Sequence, residues 1–351
     1  MVDVRAFVIT GPGRGEVADV EPPRAGPGDV VVDVERAGVC GTDAEFFSGE
    51  MAYLHSGEAA YPIRIGHEWS GTVVSLGDGV DAGWRGRRVT GDTMLGCGTC
   101  ERCVGGRAHL CRDRFEIGIR GGWPGALAEQ LAVPVRFLHA LPPSIDAATG
   151  ALIEPAGNAL RAVSAAAVEP GERLLVLGPG AIGLLAALIA RAQGVEVHLL
   201  GRSEASMGFA RSLGVGDVWT ADDLPRLRWD AVIDASGAPD LPALALDLVE
   251  PGRRVVYIGL AGAPSLVDSR SLALKDVTAV GVLSASPGLR GAIELFASGA
   301  VDPRRLVAAT VGLEDVAAVL CGERDPAWGA APKVHVDPRA AVAPAGPGAV
   351  G

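Results

Sequence analysis

The segment 173–190, RLLVLGPGAIGLLAALIA, constrains the fold more than any other part of the sequence. An apolar run leads into the pattern Gly178-x-Gly180-x-x-Gly183, and a second apolar run follows. In such a pattern the first glycine makes a tight turn, the second lets the backbone approach a pyrophosphate, and the third allows close packing of helix on strand. We therefore predict a strand, a turn and a helix whose free N–H groups face a dinucleotide. Ile182 is assigned to the same cofactor site.

Strands and helices alternate through the second half of the chain. The predicted strands are RLLVLG, VEVHLL, DAVIDAS, RRVVYIG and VTAVGVL, with helical segments between them. This alternation predicts an α/β fold with a doubly wound parallel sheet, placed at residues 151–287. Ser236 and Gly259, at the ends of two of these strands, are also assigned to the cofactor site.

The remaining segments have other patterns. Residues 1–150 contain short alternating or β-branched runs between Gly and Pro, which predict a compact, mostly β domain. Residues 288–337 hold two predicted helices and a strand, PKVHV, and we expect them to return to this first domain. The tail 338–351 is rich in Ala, Pro and Gly, and we expect it to be disordered.

The end of the second strand of the parallel sheet indicates which dinucleotide binds. NAD sites usually place an acidic residue about 20 residues after the glycines, where it binds the ribose 2′-hydroxyl. Here the strand VEVHLL ends in Gly201, Arg202 and Ser203, and no acid stands at its tip. An arginine and a hydroxyl bind a 2′-phosphate, so NADP is preferred. NAD remains possible because Glu204 follows directly.

Four of the six cysteines lie in one short segment, LGCGTCERCVGGRAHLC. The spacing C-x2-C-x2-C-x7-C, in a reducing compartment, favours tetrahedral thiolate coordination of zinc over disulfides. Four sulfurs complete the coordination sphere, so we predict a closed, structural zinc site within a lobe at 92–114. Its ligands would be Cys97, Cys100, Cys103 and Cys111.

Three other segments carry a second set of candidate ligands. The segments GVCGTD, GHEWSG and EPAGNAL supply Cys40, His67 with Glu68, and Glu154. One thiolate, one imidazole and carboxylates suit a zinc ion that keeps a position open for substrate. His67 and Glu68 would point to opposite faces of a strand, so both can bind one ion only if the backbone turns there.

Charge and composition exclude several other functions. The net charge is −11, and only two lysines occur, Lys275 and Lys333, which argues against a nucleic-acid partner. The most apolar stretch is too short and too rich in turns to span a membrane. The first residues show no basic region followed by an apolar core, so we expect no secretory signal and a cytoplasmic protein.

These motifs occur together in an order that resembles a known superfamily. GVCGTD, GHEWSG, the cysteine run, EPAGNAL and GPGAIG are similar to the zinc-dependent medium-chain dehydrogenase/reductase superfamily, to which alcohol dehydrogenases belong. The resemblance covers nearly the whole chain except the C-terminal tail. It implies a chaperonin-10-like catalytic domain, a Rossmann domain and an active site in the cleft between them. Within the superfamily, the polyol, sugar and threonine dehydrogenases are most similar, above all those of aminocyclitols and sugars.

The resemblance also implies a role for each matching residue. Cys40, His67 and Glu68 match catalytic zinc ligands, and Glu154 matches an additional or exchanging carboxylate. Thr42 matches the hydroxyl that takes the substrate proton, and Asp43 matches the carboxylate that orients the ligand histidine. Two zinc ions per subunit are implied, one catalytic and one structural.

The resemblance leaves the substrate open. Many relatives have a histidine where this chain has Glu45, so the proton leaves either through Glu45 or directly through water. Tyr53 and Glu116 are candidate substrate contacts, as is Glu45. We expect an NADP-linked dehydrogenase of a secondary alcohol in a polyol, cyclitol or sugar. The alternatives are a threonine dehydrogenase and a non-catalytic relative that binds zinc and dinucleotide. A homodimer or homotetramer is expected.

Overall fold

The computed structural model describes residues 3–340. Its strands are β1 Val4–Gly11, β2 Arg14–Val20, β3 Asp29–Gly38, β4 Ile63–Arg64, β5 Glu68–Leu76, β6 Arg88–Gly91, β7 Met94–Leu95, β8 Phe115–Glu116, β9 Gln130–Pro134, β10 Leu138–Ala140, β11 Arg173–Leu177, β12 Glu196–Leu200, β13 Asp217–Trp219, β14 Trp229–Asp234, β15 Val249–Tyr257, β16 Thr278–Gly281, β17 Val307–Val311 and β18 Lys333–Val336.

Its α-helices are α1 Gly41–Ser48, α2 Ala52–Ser56, α3 Glu101–Val104, α4 Ala147–Ala151, α5 Ile153–Ala166, α6 Ala181–Ala192, α7 Glu204–Leu213, α8 Leu241–Leu248, α9 Ser269–Leu274, α10 Leu289–Ala297 and α11 Val316–Leu320. Short 3₁₀ helices cover Ala82–Trp84, Ala108–Leu110, Val135–Phe137, Ser286–Gly288, Arg304–Leu306, Leu313–Asp315 and Pro326–Trp328. No helix within residues 3–340 is both long enough and apolar enough to cross a membrane.

The first part of the chain forms a mostly β lobe, the catalytic lobe. Its main sheet has the order β10-β6-β5-β3-β18-β17, with β9 also paired to β3, and a smaller sheet has the order β2-β1-β4. The inward residues of these strands form one apolar core that includes Phe7, Trp69 and Leu131. The mostly β lobe predicted from the sequence is confirmed.

The second part forms the Rossmann lobe around a six-stranded parallel sheet. Its strand order is β13-β12-β11-β14-β15-β16, the doubly wound order that reverses beside β11. Strand β11 is buried on both faces: Leu174 and Val176 pack in one core cluster, Leu175 and Leu177 in another. The predicted doubly wound α/β fold is confirmed, and it places the glycine pattern at the carboxyl end of β11.

One predicted segment packs differently from the expectation. Residues 288–337 were expected to return to the catalytic lobe, but α10 packs on α5, and Leu289, Phe296 and Leu306 lie in the core of the Rossmann lobe. The chain rejoins the catalytic lobe only at β17 and β18, which extend its main sheet. The apolar face of α10 fits the Ala-rich face of α5, and no local sequence pattern reveals that tertiary partner. Most of the predicted disordered tail, 341–351, lies outside the described residues.

Candidate active site and metal centres

Helix α1 begins at the first candidate ligand, Cys40. The chain leaves β3 through Cys40, the residue that precedes the helix, and Thr42 lies partly exposed in the first turn. The buried carboxylate of Asp43 accepts hydrogen bonds from the backbone N–H of Cys40, at 2.9 Å, and of Gly66, at 3.1 Å. Asp43 therefore fixes two separate segments that bring candidate ligands together.

The backbone turns sharply just before His67 and Glu68. Gly66 has φ +101°, a conformation that favours glycine, and a Cβ there would lie 2.7 Å from the backbone nitrogen of Leu127. Strand β5 begins only at Glu68, so His67 is not in the strand. One donor atom each from Cys40, His67 and Glu68 lies within 4.8 Å of the others. The turn thus allows both neighbouring side chains to face one ion.

The charge around His67 fits a cation. Nδ1 of this buried imidazole has no hydrogen-bond partner among residues 3–340 and lies 3.7 Å from Oδ1 of Asp43. Burial alone would lower the pKa of His67, but the hydrogen bond with Cys40 and the charges of Asp43, Cys40 and Glu154 raise it well above its usual value. A thiolate, an imidazole and carboxylates at these separations suit zinc.

Lys333, which is not among the predicted site residues, binds one of these donors, Glu68. Nζ of Lys333, on β18, lies 2.5 and 2.6 Å from the two carboxylate oxygens of Glu68 and 3.2 Å from the carbonyl oxygen of Val39. Both side chains are almost fully buried. Burial alone would lower the pKa of Lys333, yet the carboxylate of Glu68 raises it above its usual value. Glu68 therefore has a permanent counter-ion beside the candidate metal position.

Glu154 approaches the same position from helix α5. It is buried, and Nδ2 of Asn158, one helical turn later, donates to its Oε1 at 2.9 Å. Burial raises the pKa of Glu154, while the positive charge of His67 lowers it. Glu154 is outside the group of three donors that meet within 4.8 Å. It lies close enough to influence their charge but not to complete the group as arranged here.

The four-cysteine cluster has the dimensions of a zinc site. Cys100 Sγ lies 3.5 Å from Cys103 Sγ and 3.8 Å from Cys111 Sγ, and Cys97 Sγ lies 3.9 Å from Cys103 Sγ. A tetrahedron with Zn–S bonds of about 2.3 Å has edges of about 3.8 Å. The hydrogen bond from the backbone of Thr99, with others, lowers the pKa of Cys97 to about 6, whereas burial raises the pKa of Cys103.

The glycine pattern leaves space where a pyrophosphate is expected. Gly178 has φ +97°, and a Cβ on Gly183 would lie 1.9 Å from the carbonyl oxygen of Gly178, so helix and turn pack closely. A Cβ on Gly180, at the start of α6, would meet no atom within 4 Å. The turn opens on a cavity of about 460 Å³.

That cavity is lined by several of the predicted cofactor residues. Gly178, Gly180, Gly201, Arg202, Ser203 and Ser236 are among its walls, as are Ser206, Ala330 and Pro332. The structure places three predicted residues elsewhere. Ile182 and Gly183 pack within α6 and against β11, and Gly259 makes close backbone contact with Ser236. Gly259 thus supports the wall formed by Ser236 without forming part of it.

The candidate substrate residues lie in different surroundings. Tyr53 Oη lies 3.4 Å from Oε1 of Glu116, and Glu116 is buried in an ion pair with Nε of Arg114, at 2.8 Å. The structure therefore brings Tyr53 and Glu116 together. Glu45 stands apart from that pair on α1, where burial and the charge of Glu50 raise its pKa.

Lys333 and Arg114 are not among the predicted site residues, and only Lys333 leaves a signal in the sequence. Lys333 is one of two lysines in a chain that otherwise uses arginine, and it stands in a short apolar strand. A rare lysine inside a buried pattern is a usable indication of a buried ion pair. Arg114 is one of many arginines, so its contact with Glu116 becomes visible only in three dimensions.

Comparison with known proteins now supplies the family. The model of the alcohol dehydrogenase GroES-like domain matches residues 26–143, and that of the zinc-binding dehydrogenase matches residues 181–298. The chain belongs to the zinc-dependent alcohol dehydrogenase family of medium-chain dehydrogenases/reductases. It is an NAD(P)-linked oxidoreductase of this family, as the sequence predicted.

Relatives of known name span most of the chain. A 2-dehydro-3-deoxy-L-galactonate 5-dehydrogenase of Pseudoalteromonas atlantica is 32% identical over 82% of this chain and 86% of its own length. An L-threonine 3-dehydrogenase of Saccharopolyspora erythraea is 32% identical over 80% of this chain and 83% of its own. The crystal structure of a protein from Sinorhizobium meliloti 1021, described as a zinc-binding dehydrogenase bound to NADP, is 28% identical, with a TM-score of 0.86 over 96% of this chain and all of that one.

Proposed function

We propose that this enzyme interconverts a secondary alcohol and a ketone on a polyol, cyclitol or sugar, with NADP as the preferred coenzyme. The observation that carries the substrate class is the cluster of ionic and phenolic side chains beside the metal donors. Glu116 pairs with Arg114 and Tyr53, and Glu58 pairs with Arg120 at 2.6 Å. Such a cluster offers donors and acceptors to several hydroxyl groups and suits an apolar alcohol poorly.

The cluster is joined to the metal donors through Thr93. The backbone N–H of Ile117 donates to the carbonyl oxygen of Thr93, whose hydroxyl donates to the carbonyl oxygen of His67 at 3.4 Å. Glu116 pairs in register with Met94, the residue that follows Thr93. The polar side chains are therefore held at a fixed place relative to His67, as a substrate-binding wall requires.

The residues of the chain divide the chemistry among them. Cys40, His67 and Glu68, with Glu154 as a further carboxylate, would hold a catalytic zinc ion, and the four-cysteine cluster would hold a structural one. When bound, zinc would supply Lewis acidity to the substrate hydroxyl, and the dinucleotide would supply a hydride acceptor. Thr42 would accept the hydroxyl proton while passing its own proton on to solvent, through Glu45 or directly through water, and Asp43 fixes the orientation of His67.

The preference for NADP rests on the surroundings of Arg202. Arg202 and Ser203 are exposed at the cavity wall, and Ser203 caps α7 by accepting from the backbone N–H of Ser206 at 3.1 Å. The neighbouring acid, Glu204, turns away to an ion pair with Arg211 at 2.8 Å. A 2′-phosphate would thus meet a guanidinium, a hydroxyl and no free carboxylate.

Threonine is the second candidate substrate. The L-threonine 3-dehydrogenase of Saccharopolyspora erythraea is as similar to this chain as the sugar-acid dehydrogenase is. The buried ion pair of Arg114 with Glu116 could place charged groups near an amino acid. Against threonine, the histidine typical of that branch is Glu45 here.

Oligomeric state and compartment belong to the same proposal. Strand β16 is the edge strand of the parallel sheet within residues 3–340, and the large apolar side chains Leu260, Leu266 and Leu274 are exposed in the segment that connects β15 to β16. An open edge with exposed leucines favours a homodimer or homotetramer. Four thiols held for metal binding favour a reducing compartment, the cytoplasm.

The experiment is coenzyme reduction by the zinc-loaded protein. NADP and NAD are offered in parallel against polyols, cyclitols, aminocyclitols, sugars, sugar acids and threonine. We expect turnover of a hydroxyl-rich substrate with NADP favoured. The variant Arg202→Ala should lose roughly tenfold or more in affinity for NADP and little for NAD, with Arg226→Ala, another exposed arginine, as control. Turnover of threonine alone would replace the substrate proposal, and an NAD preference would overturn the interpretation of Arg202.

A further inference from the structure

A buried carboxylate outside the metal donors joins the two lobes. Asp92 lies between β6 and β7 of the catalytic lobe and is 7% exposed. Its Oδ1 accepts a hydrogen bond from the hydroxyl of Ser286 at 2.6 Å and another from the backbone N–H of Met94 at 3.0 Å. Ser286 follows the last strand of the Rossmann lobe, 194 residues further along the chain.

On the Rossmann side, this bond ends at a strained turn. Ser284 has φ +71°, which is unfavourable for a residue with a side chain, and it is nearly buried. Its hydroxyl lies 2.9 Å from that of Ser286. The guanidinium of Arg161 donates to the carbonyl oxygens of Leu283 and Ser284. Two polar contacts from outside the turn therefore hold an unfavourable backbone conformation.

The position of this turn relates it to both halves of the site. Ser284 lies three residues after β16, at the carboxyl end of the parallel sheet, where open α/β sheets bind their ligands. Arg161 follows Glu154 by seven residues on α5, so both stand on one face of that helix. Asp92 precedes Thr93, whose hydroxyl binds the backbone of His67.

We propose that Asp92 is a positioning residue that, through Ser286 and together with Arg161, holds the Ser284 turn in place against the metal site. The inference rests on the proposed function: a hydride can pass only if the carboxyl end of the sheet, which binds the dinucleotide, is fixed relative to His67 and its neighbours. Asp92, in the catalytic lobe, and Arg161, on α5, together hold the carboxyl end of the sheet in a fixed position relative to His67.

The chemistry of Asp92 agrees with this role. Burial raises its pKa to about 6, although the hydrogen bonds of Ser286 and Met94 and the charge of Arg161 act in the opposite direction. A buried carboxylate costs folding energy that an apolar residue would not. Its two hydrogen bonds link the backbone of Met94, next to Thr93, with the strained turn, which is a geometric task.

The test uses the zinc-loaded protein and NADPH. Ser286→Ala removes the hydroxyl, Ser286→Thr keeps it, and Asp92→Ala removes the acceptor; Ser298→Ala, an exposed serine that follows α10, is the control. We expect Ser286→Ala and Asp92→Ala each to raise the Kd for NADPH roughly tenfold, with unchanged zinc content. The double variant should be no weaker than either single variant, because both remove the same contact. Ser286→Thr should restore binding, and faster hydrogen exchange at 282–287 should accompany the loss.

Distinct results separate this proposal from the proposed function. If the wild-type protein binds neither NADPH nor NADH, the proposed function fails. If it binds NADPH and Ser286→Ala binds equally well, only the positioning role is overturned. Additive losses in the double variant, or losses that follow the melting temperature rather than the hydroxyl, also overturn it. Should Asp92→Ala not fold, the comparison of Ser286→Ala with Ser286→Thr decides alone.

Discussion

The two candidate metal centres of this chain are built in opposite ways. The structural one takes four identical donors from a single 15-residue segment, is partly exposed and is held by backbone turns. The catalytic one takes different donors from the start of α1, the turn before β5 and α5; Cys40 is partly buried, and His67, Glu68 and Glu154 are buried. The first can form by local folding, whereas the second needs the folded catalytic lobe, and only its further carboxylate, Glu154, comes from α5.

The surroundings differ as much as the donors. Beside the cysteine cluster, Arg102 and Arg136 donate to the backbone carbonyl oxygens of Leu110 and Gly96. The catalytic centre has its own cation, Lys333, bonded to Glu68. We expect a bound metal ion to stabilise the first centre, whereas the charge of Lys333 already stabilises part of the second.

The largest expected effect is loss of turnover at the catalytic centre. Cys40→Ser should lower kcat roughly 1,000-fold or more, because substrate activation needs the ion that this thiolate helps to hold. The melting temperature should change little, and zinc content should fall from two ions to one per chain. Cys321→Ser, an exposed cysteine outside both groups, is the control. A variant that kept both zinc ions and full activity would show that Cys40 is not a ligand.

Removing the buried charge of Lys333 should have the largest effect on the free energy of unfolding. Lys333→Met leaves the buried carboxylate of Glu68 without its partner, and we expect metal-free protein to lose about 3–5 kcal/mol of unfolding free energy. Zinc should recover part of the loss, because it supplies a replacement charge. Lys275→Met removes only hydrogen bonds to three backbone carbonyls and should cost less, roughly 1–2 kcal/mol. Urea unfolding with and without zinc measures both, and equal costs would contradict the special role of Lys333.

At the structural centre we expect a local loss. Cys97→Ala, or removal of zinc by a chelator, should loosen the lobe 92–114 and destabilise the protein by roughly 2–3 kcal/mol, about 3–4 °C in melting temperature. Hydrogen exchange should rise in that lobe and not in the parallel sheet. A Cys97→Ala variant with full stability and full zinc content is the result that would refute a structural site.

The smallest expected effect concerns Asp92, which lies in the chain between His67 and the four-cysteine cluster. Asp92 has a pKa raised to about 6, above its ordinary 3.8, so the folded protein holds this proton more tightly than the unfolded chain. Its contribution to stability is therefore lost as pH rises from about 4 to 6. Asp92→Asn does not titrate, so its stability relative to wild type should increase by roughly 2 kcal/mol over that range. Urea unfolding at several pH values tests this, and parallel curves for the two proteins would contradict it.

The sequence was sufficient wherever a site is local. The glycine pattern and the cysteine spacing each specify a short segment, and the cavity and the tetrahedral sulfur group lie in those segments. The adjacency of His67 and Glu68 left open whether both could face one ion. The positive φ of Gly66 answers that geometric question, because it turns the backbone just before His67.

The remaining contacts could not be predicted from the sequence because they join residues far apart in the chain. Lys333 meets Glu68 across 265 residues, and Ser286 meets Asp92 across 194. The place of α10 depends on the complementary face of α5 rather than on its own pattern. Periodicity identifies which face of an element is apolar, but it does not identify which of several apolar faces will cover it.

Helix α5 has a consequence for protein engineering. It packs in the core of the Rossmann lobe, yet it carries Glu154 to the catalytic donors and Arg161 to the turn after β16. A chimaera made by exchanging the coenzyme-binding half at residue 150 would therefore also import a foreign carboxylate into the catalytic centre. A chimaera that has its junction near α5 should therefore keep the chemistry only if Glu154, Asn158 and Arg161 are retained. In this chain, helix α5 joins the two lobes and has to be transferred as one unit.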